Sequence, residues 1–224
     1  MDAAIISFLS QFISEERQEI LKQVLSNRTK YLTVCLEDIY HPHNASAVLR
    51  TCDCLGLLDV HIVEKENRFC PSPQIAKGTY KWLNIHHYRE EQEHTSGLIR
   101  QLRSQNYRIV ATTPHQHDVA LENFDISKGK VALFFGTEHS GISSTLMQEA
   151  DEFLKIPIYG FAESMNISVA AAIIIHHLML QLRSQKSFNW KLTEEEYNIQ
   201  LVNWMKKSVK NAEPLIQHFL SKSE

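Results

Sequence analysis

Three short segments carry side chains that can do more than pack. NASAVLRT, Asn44 to Thr51, opens a helical pattern with an amide and then, at Arg50, a guanidinium. FFGTEHSG, Phe134 to Gly141, follows an apolar run with Gly136, the Glu138 carboxylate and a second glycine. IPIYGFAESMNISVAAA, Ile156 to Ala172, passes through Pro157 into a loop with Ser164 and Asn166 and then into an alanine-rich helix. Read singly, each has an ordinary use. Asn44 is a helix N-cap and Arg50 a surface residue; the glycines make a strand-to-helix turn; Ala170, Ala171 and Ala172 allow close helix packing. Read jointly, they set amides, a hydroxyl, a carboxylate and a cation beside the carboxyl ends of predicted strands, where open α/β sheets bind and orient ligands.

The elements that must hold these segments are legible from periodicity. Apolar residues recur at helical spacing from Ile5 to Leu25 (Phe8, Leu9, Phe12, Ile13, Ile20, Leu21, Val24), which predicts one N-terminal amphipathic helix stopped at Asn27. Residues 32–36 read as a strand, His41-Pro42-His43 as a loop, and 45–55 as a helix closed by Gly56. Further strands are predicted over 60–63, 85–88, 108–113, 131–135 and 153–158, with helices over 96–104 and 169–182. This alternation predicts an α/β domain with a mainly parallel sheet and helices on both faces. Thr193-Glu194-Glu195-Glu196 opens a C-terminal helical region reaching His218, with Pro214 as a break or a new first turn. The expected division is an N-terminal helical extension over 1–30, a core domain over 31–185 and a C-terminal helical extension over 186–224.

Composition narrows the class. With 224 residues, 43% hydrophobic and 22% charged, the chain suits one globular domain with terminal additions. The opening MDAAIISFLSQFISEER lacks the basic start of a signal peptide. The apolar run from Val169 ends at His176 and His177, short of a membrane span, so a cytoplasmic protein is expected. Cys35, Cys52, Cys54 and Cys70 lack the paired spacing of a zinc site and read as reduced thiols. The histidine pairs 41/43, 115/117 and 176/177 match no metal motif, and no metal is expected. A net charge of −3 disfavours indiscriminate binding to polyanions and leaves local clusters: Arg17, Lys22, Arg28 and Lys30; Arg183, Lys186 and Lys191; Lys206, Lys207 and Lys210. No GxGxxG follows the first strand, which counts against a dinucleotide-dependent oxidoreductase.

In this order and at these separations the three segments resemble the three motifs of the SPOUT RNA methyltransferases. The surrounding TVCLEDIYHPHN, LRTCDCLGLLDVHIVEK and ISVAAAIIIHHL resemble the TrmH branch in particular, and the likeness runs over roughly residues 15 to 185. The resemblance implies a sheet whose C-terminal part is threaded as a deep trefoil knot. It also implies a homodimer with sites at the subunit interface, and S-adenosyl-L-methionine held by the knot loops. By the same resemblance Thr112, Gly136, Ile156 and Met165 border the adenosyl group, and Asn44, Arg50, Glu138, Ser164 and Asn166 form the catalytic set. Arg50 is the catalytic arginine. In the family this arginine is described as accepting the 2′-hydroxyl proton; because a charged guanidinium offers no acceptor, the preferred expectation is that it stabilises the developing 2′-alkoxide while the proton leaves through water or phosphate.

The implied reaction is 2′-O-methylation of an RNA ribose, that of guanosine eighteen in the tRNA D-loop, with Arg17, Arg28, Lys30 and Arg183 as RNA contacts. Ribosomal RNA is the alternative substrate. Its methyltransferases usually carry a separate RNA-binding domain ahead of the core, whereas only about forty residues precede Asn44. A catalytically silent RNA-binding paralogue is the other alternative, disfavoured by the complete catalytic set. Two departures from the TrmH pattern bear on the grip on RNA: Glu163 stands where glutamine is common, and Leu180 and Leu182 with a single Arg183 stand where two arginines are frequent.

Overall fold

The structure, a computed structural model, describes residues 2–69, 78–89, 94–114, 118–137 and 141–222. Its helices are α1 (Asp2–Ser10), α2 (Glu15–Leu25), α3 (Pro42–Leu55), α4 (His94–Ser104), α5 (Ser144–Glu149), α6 (Ile167–Ser184), α7 (Glu194–Ser208) and α8 (Ala212–Ser221). Its strands are β1 (Leu32–Glu37), β2 (Asp59–Val63), β3 (Asn84–Tyr88), β4 (Tyr107–Thr112), β5 (Val119–Ala120), β6 (Lys130–Phe135) and β7 (Glu152–Lys155). The chain forms two compact units, residues 30–190 and residues 1–29 with 191–224.

In the larger unit the strands form one seven-stranded sheet in the order β3-β2-β1-β6-β4-β7-β5. Every pairing is parallel, as expected of strands joined by crossovers. The side-chain alternation of β1 sorts the two faces of the sheet. Val34 and Leu36 join Val60, Leu133 and Phe135 in a core closed by Val48 and Leu49 of α3 and by Ile174 and Leu178 of α6. Cys35 joins Ile109, Ala132 and Phe134 in a core closed by Leu98 and Leu102 of α4 and by Leu146 of α5. Helices therefore cover both faces, as the alternation predicts. By length and composition α6 reaches what a membrane span requires, more than the run from Val169 suggests. Its Ile174, Ile175, Leu178 and Leu182 are buried in the first core, while Val169, Ile173 and Leu180 are exposed.

The smaller unit is helical, with Leu9, Leu25 and Trp204 fully enclosed. Phe8 stacks on Phe219 with ring centroids 4.4 Å apart. Thr193 and Glu196 form the reciprocal capping box that starts α7.

Where elements differ from the sequence pattern, the causes are local. The predicted single N-terminal helix is two. Ser14 caps α2 by accepting from Arg17 N, and Gln18 Nε2 donates to the carbonyls of Ser10 (2.9 Å) and Ile13 (2.8 Å) freed at the break. α3 begins at Pro42 rather than residue 45, because proline costs nothing where the first-turn N–H has no helical partner anyway. Gly56 ends it in the left-handed conformation as expected (φ 91°). β7 stops at Lys155 instead of continuing to 158, since Pro157 has no N–H for the ladder and the chain leaves the sheet there. The C-terminal helical region is also divided, with Pro214 in the first turn of α8.

Candidate active site

The carboxyl ends of β4, β6 and β7 and the first turns of α3 and α6 enclose a cavity of about 510 Å³, within the range that small-molecule sites occupy. Thr112 closes β4 and donates its Oγ1 to the Phe134 carbonyl at 2.9 Å, fixing neighbouring strands where their ends line the cavity. After β6 the chain turns back on itself. Thr137 N donates to the Gly141 carbonyl (2.8 Å) and Gly141 N to the Thr137 carbonyl (3.2 Å). A Cβ on Gly136 would fall 2.2 Å from the Gly141 oxygen, so only glycine permits this closure. The third wall comes from Leu154, Ile156 and Ile158 as the chain leaves β7, and Ser164 and Met165 follow on the loop into α6.

Asn166 joins two motifs. As the N-cap of α6 its Oδ1 accepts from Ser168 N (2.9 Å) and Ser168 Oγ (2.6 Å). Its Nδ2 donates to Asn44 Oδ1 at 3.2 Å, and both asparagines line the cavity. Thr112, Gly136, Ile156, Met165, Asn44, Ser164 and Asn166 are thus gathered around one space. Arg50 is not among them. It lies on the exposed side of α3, and its side chain makes no hydrogen bond or ion pair with other described residues. Glu138 lies outside the described residues, as do Cys70, His115 and His117.

The expected RNA contacts fare differently. Arg17 is half-buried in the first turn of α2. Arg28 requires correction as a surface contact: it is 3% exposed, and its guanidinium carbon lies 5.4 Å from the centroid of the Trp204 ring. Lys30 is half-buried, 3.9 Å from the Asp59 carboxylate. Arg183 is exposed and donates to the Leu55 carbonyl at 2.9 Å, serving the last turn of α3.

The SpoU rRNA Methylase family matches residues 31–176, the span that contains every wall of the cavity. The tRNA (guanosine(18)-2′-O)-methyltransferase of Borreliella burgdorferi is 41% identical over 206 residues, covering 92% of each chain. That of Thermus thermophilus is 32% identical, over 87% of this chain and 98% of the relative. The crystal structure of the Aquifex aeolicus TrmH/SpoU tRNA modifying enzyme superposes with a TM-score of 0.77 at 29% identity, covering 88% of this chain and 98% of the other. The chain belongs to the SpoU methylase family.

Periodicity missed several wall residues of this SpoU methylase: His41, Thr113, Pro114, Thr137, Ala170 and Ile174. His41, Thr113, Pro114 and Thr137 each lie within three positions of a residue singled out for the site, while Ala170 follows Asn166, and Ile174 follows Ala170, at one helical turn. Among the described residues no group of His, Cys, Asp and Glu is placed to hold a metal ion. Cys35 and Cys52 are buried and Cys54 is exposed, all three as free thiols. Burial pushes the Cys35 thiol well above its ordinary value, with the Glu37 charge adding to the effect.

Proposed function

We propose that this SpoU methylase transfers a methyl group from S-adenosyl-L-methionine to the ribose 2′-oxygen of guanosine eighteen in the tRNA D-loop. The observation that carries the reading is the direct Asn44–Asn166 bond in the wall of a ligand-sized cavity, in a chain whose relatives are named for that activity. The donor fits the walls. Phe135, Leu154, Ile156 and Ile174 offer an apolar face for an adenine ring, and the strand ends at Thr112 and Gly136 offer backbone groups for its polar edge. When bound, S-adenosyl-L-methionine supplies an electrophilic methyl on sulfonium.

The chain's own residues align the acceptor and manage its charge. Asn44, Asn166 and Ser164 hold the ribose, and an aligned pair avoids the entropy cost of encounter. Arg50 stabilises the oxygen as its proton departs to water or phosphate, and Glu138 positions these groups. Arg50 reaches this work from a second subunit. α6 exposes Val169 (49%), Ile173 (39%) and Leu180 (55%) beside α3, whose outer side carries Arg50. A second copy covering that apolar face meets Arg50, and the site is completed across a homodimer.

The same reading includes a trefoil knot in the C-terminal part of the sheet domain, residues 31–185, and work in the cytoplasm without a metal. Arg17 and Lys30 of the N-terminal extension and Arg183 at the end of the sheet domain contact the tRNA, and the C-terminal extension serves either the RNA or the dimer. The decisive experiment is methyl transfer from labelled S-adenosyl-L-methionine to unmodified tRNA transcript, with nuclease mapping. Label in a D-loop 2′-O-methylguanosine, lost in Arg50→Ala while donor binding persists, is the expected result. Label confined to ribosomal RNA would move the substrate, and no label on either would overturn the reading.

A further inference from the structure

Glu37, the last residue of β1, has no part in the chemistry above, yet its carboxylate is only 2% exposed. Its Oε1 accepts from Thr95 Oγ1 (2.5 Å), Ser143 Oγ (2.7 Å) and Lys65 Nζ (2.9 Å), and its Oε2 from Ser143 N (2.9 Å). The donors come from α4, from the segment entering α5, and from the chain beyond β2. Burial would raise the carboxyl, but the hydrogen bonds from Thr95, Ser143 and Lys65 outweigh it and hold Glu37 below its ordinary value. It is therefore ionised at neutral pH and accepts from all of them.

The Ser143 arm matters most. Ser143 caps α5 by accepting from Leu146 N (3.2 Å), and it stands two residues beyond Gly141, the residue on which the loop after β6 closes. That loop begins at Gly136 and supplies Gly136, Thr137 and Gly141 to the cavity wall. One end of the loop is set by β6, and the other hangs on Ser143. A glutamine at position 37 offers a single acceptor oxygen and turns its NH₂ toward either Ser143 N or Lys65 Nζ, neither of which can accept, so it cannot reproduce the anchor.

We infer that Glu37 is a positioning residue for the donor site: by holding Ser143 it sets Gly141 against Gly136 and Thr137 in the wall where S-adenosyl-L-methionine binds. This rests on the reading of the cavity given above. The Thr95 arm, in contrast, ties β1 to α4 and bears on stability alone.

The two arms can be separated by titration calorimetry of the full chain with S-adenosyl-L-methionine, alongside thermal unfolding and KM values for donor and tRNA. Glu37→Gln should weaken donor binding about tenfold, with a matching rise in donor KM and an unchanged KM for tRNA. Ser143→Ala should weaken it in the same direction, and should Glu37→Gln not fold, this variant decides alone. Thr95→Val should lower the melting temperature and leave donor Kd unchanged. Unaltered donor binding in Glu37→Gln and Ser143→Ala, or equal weakening by Thr95→Val, would reduce Glu37 to a purely structural residue. A wild-type chain that fails to bind S-adenosyl-L-methionine would instead sink the reading of the cavity itself.

Discussion

One amide at Asn166 serves both the fold and the site, and substitution can part the two uses. Asp retains an N-cap acceptor and suits a helix N-terminus electrostatically, but cannot donate to Asn44 Oδ1. Asn166→Asp should therefore keep its urea midpoint while single-turnover methyl transfer drops; Asn166→Ala should lose the cap as well, at about 1 kcal/mol. An Asp variant as fast as wild type would show that the link to Asn44 is dispensable. Both asparagines were legible as candidates in the sequence, but their contact was not, because no local spacing tells which of two distant loop ends will meet. Arg28 shows the same gap in reverse. A cation reads as surface until the tertiary fold supplies Trp204, whose ring accepts it inside the smaller unit.

The strand pair β2 and β3 places two imidazoles face to face, His61 on His86, with ring centroids 4.8 Å apart. His61 Nδ1 is 3.0 Å from Tyr88 Oη, and Asp59 Oδ1 lies 3.5 Å from His86 Nε2. Burial first, and then the charge of His86, pushes His61 down to about 4 from its ordinary 6.5, with Asp59 pulling weakly the other way. The unfolded chain takes up this proton near 6.5 and the folded chain only near 4, so the contribution to stability is whole above 6.5 and is lost as pH falls toward 4. Urea midpoints of His61→Phe should consequently vary less with pH across that window than those of wild type; an undiminished slope would assign the acid sensitivity to other groups. The main elements were legible because their periodicity spans several residues. β5 has two residues and α5 six, too few to show a period, and they went unseen.

For the proposed homodimer, the apolar outer side of α6 is the expected interface. Ile173→Glu puts a charge in the middle of that face and should yield a monomer by sedimentation, folded by circular dichroism but deficient in methyl transfer, since the proposed site needs Arg50 of a partner. An unchanged dimer mass would show that another surface carries the interface. Fold class was readable from the strand–helix alternation, since only a parallel sheet uses it repeatedly. That the two ends of the chain build one helical unit was not, because amphipathicity tells that a helix has a face to bury and not what will bury it.

This joining of the ends orders events on the ribosome. α1 and α2 are made before residues 30–190, but the helices that cover Leu9, Leu21 and Leu25 are made only after those residues have been translated. The sheet is completed late in the same way: β1 can pair with β2 early, but its other neighbour, β6, does not begin before Lys130. Contacts of such sequence separation carry a loop-closure cost before they return anything, so maturation is expected to be slow. A nascent chain stalled before α7 would present its first two helices without the surface that encloses them, and that interval is when aggregation or chaperone capture competes with folding.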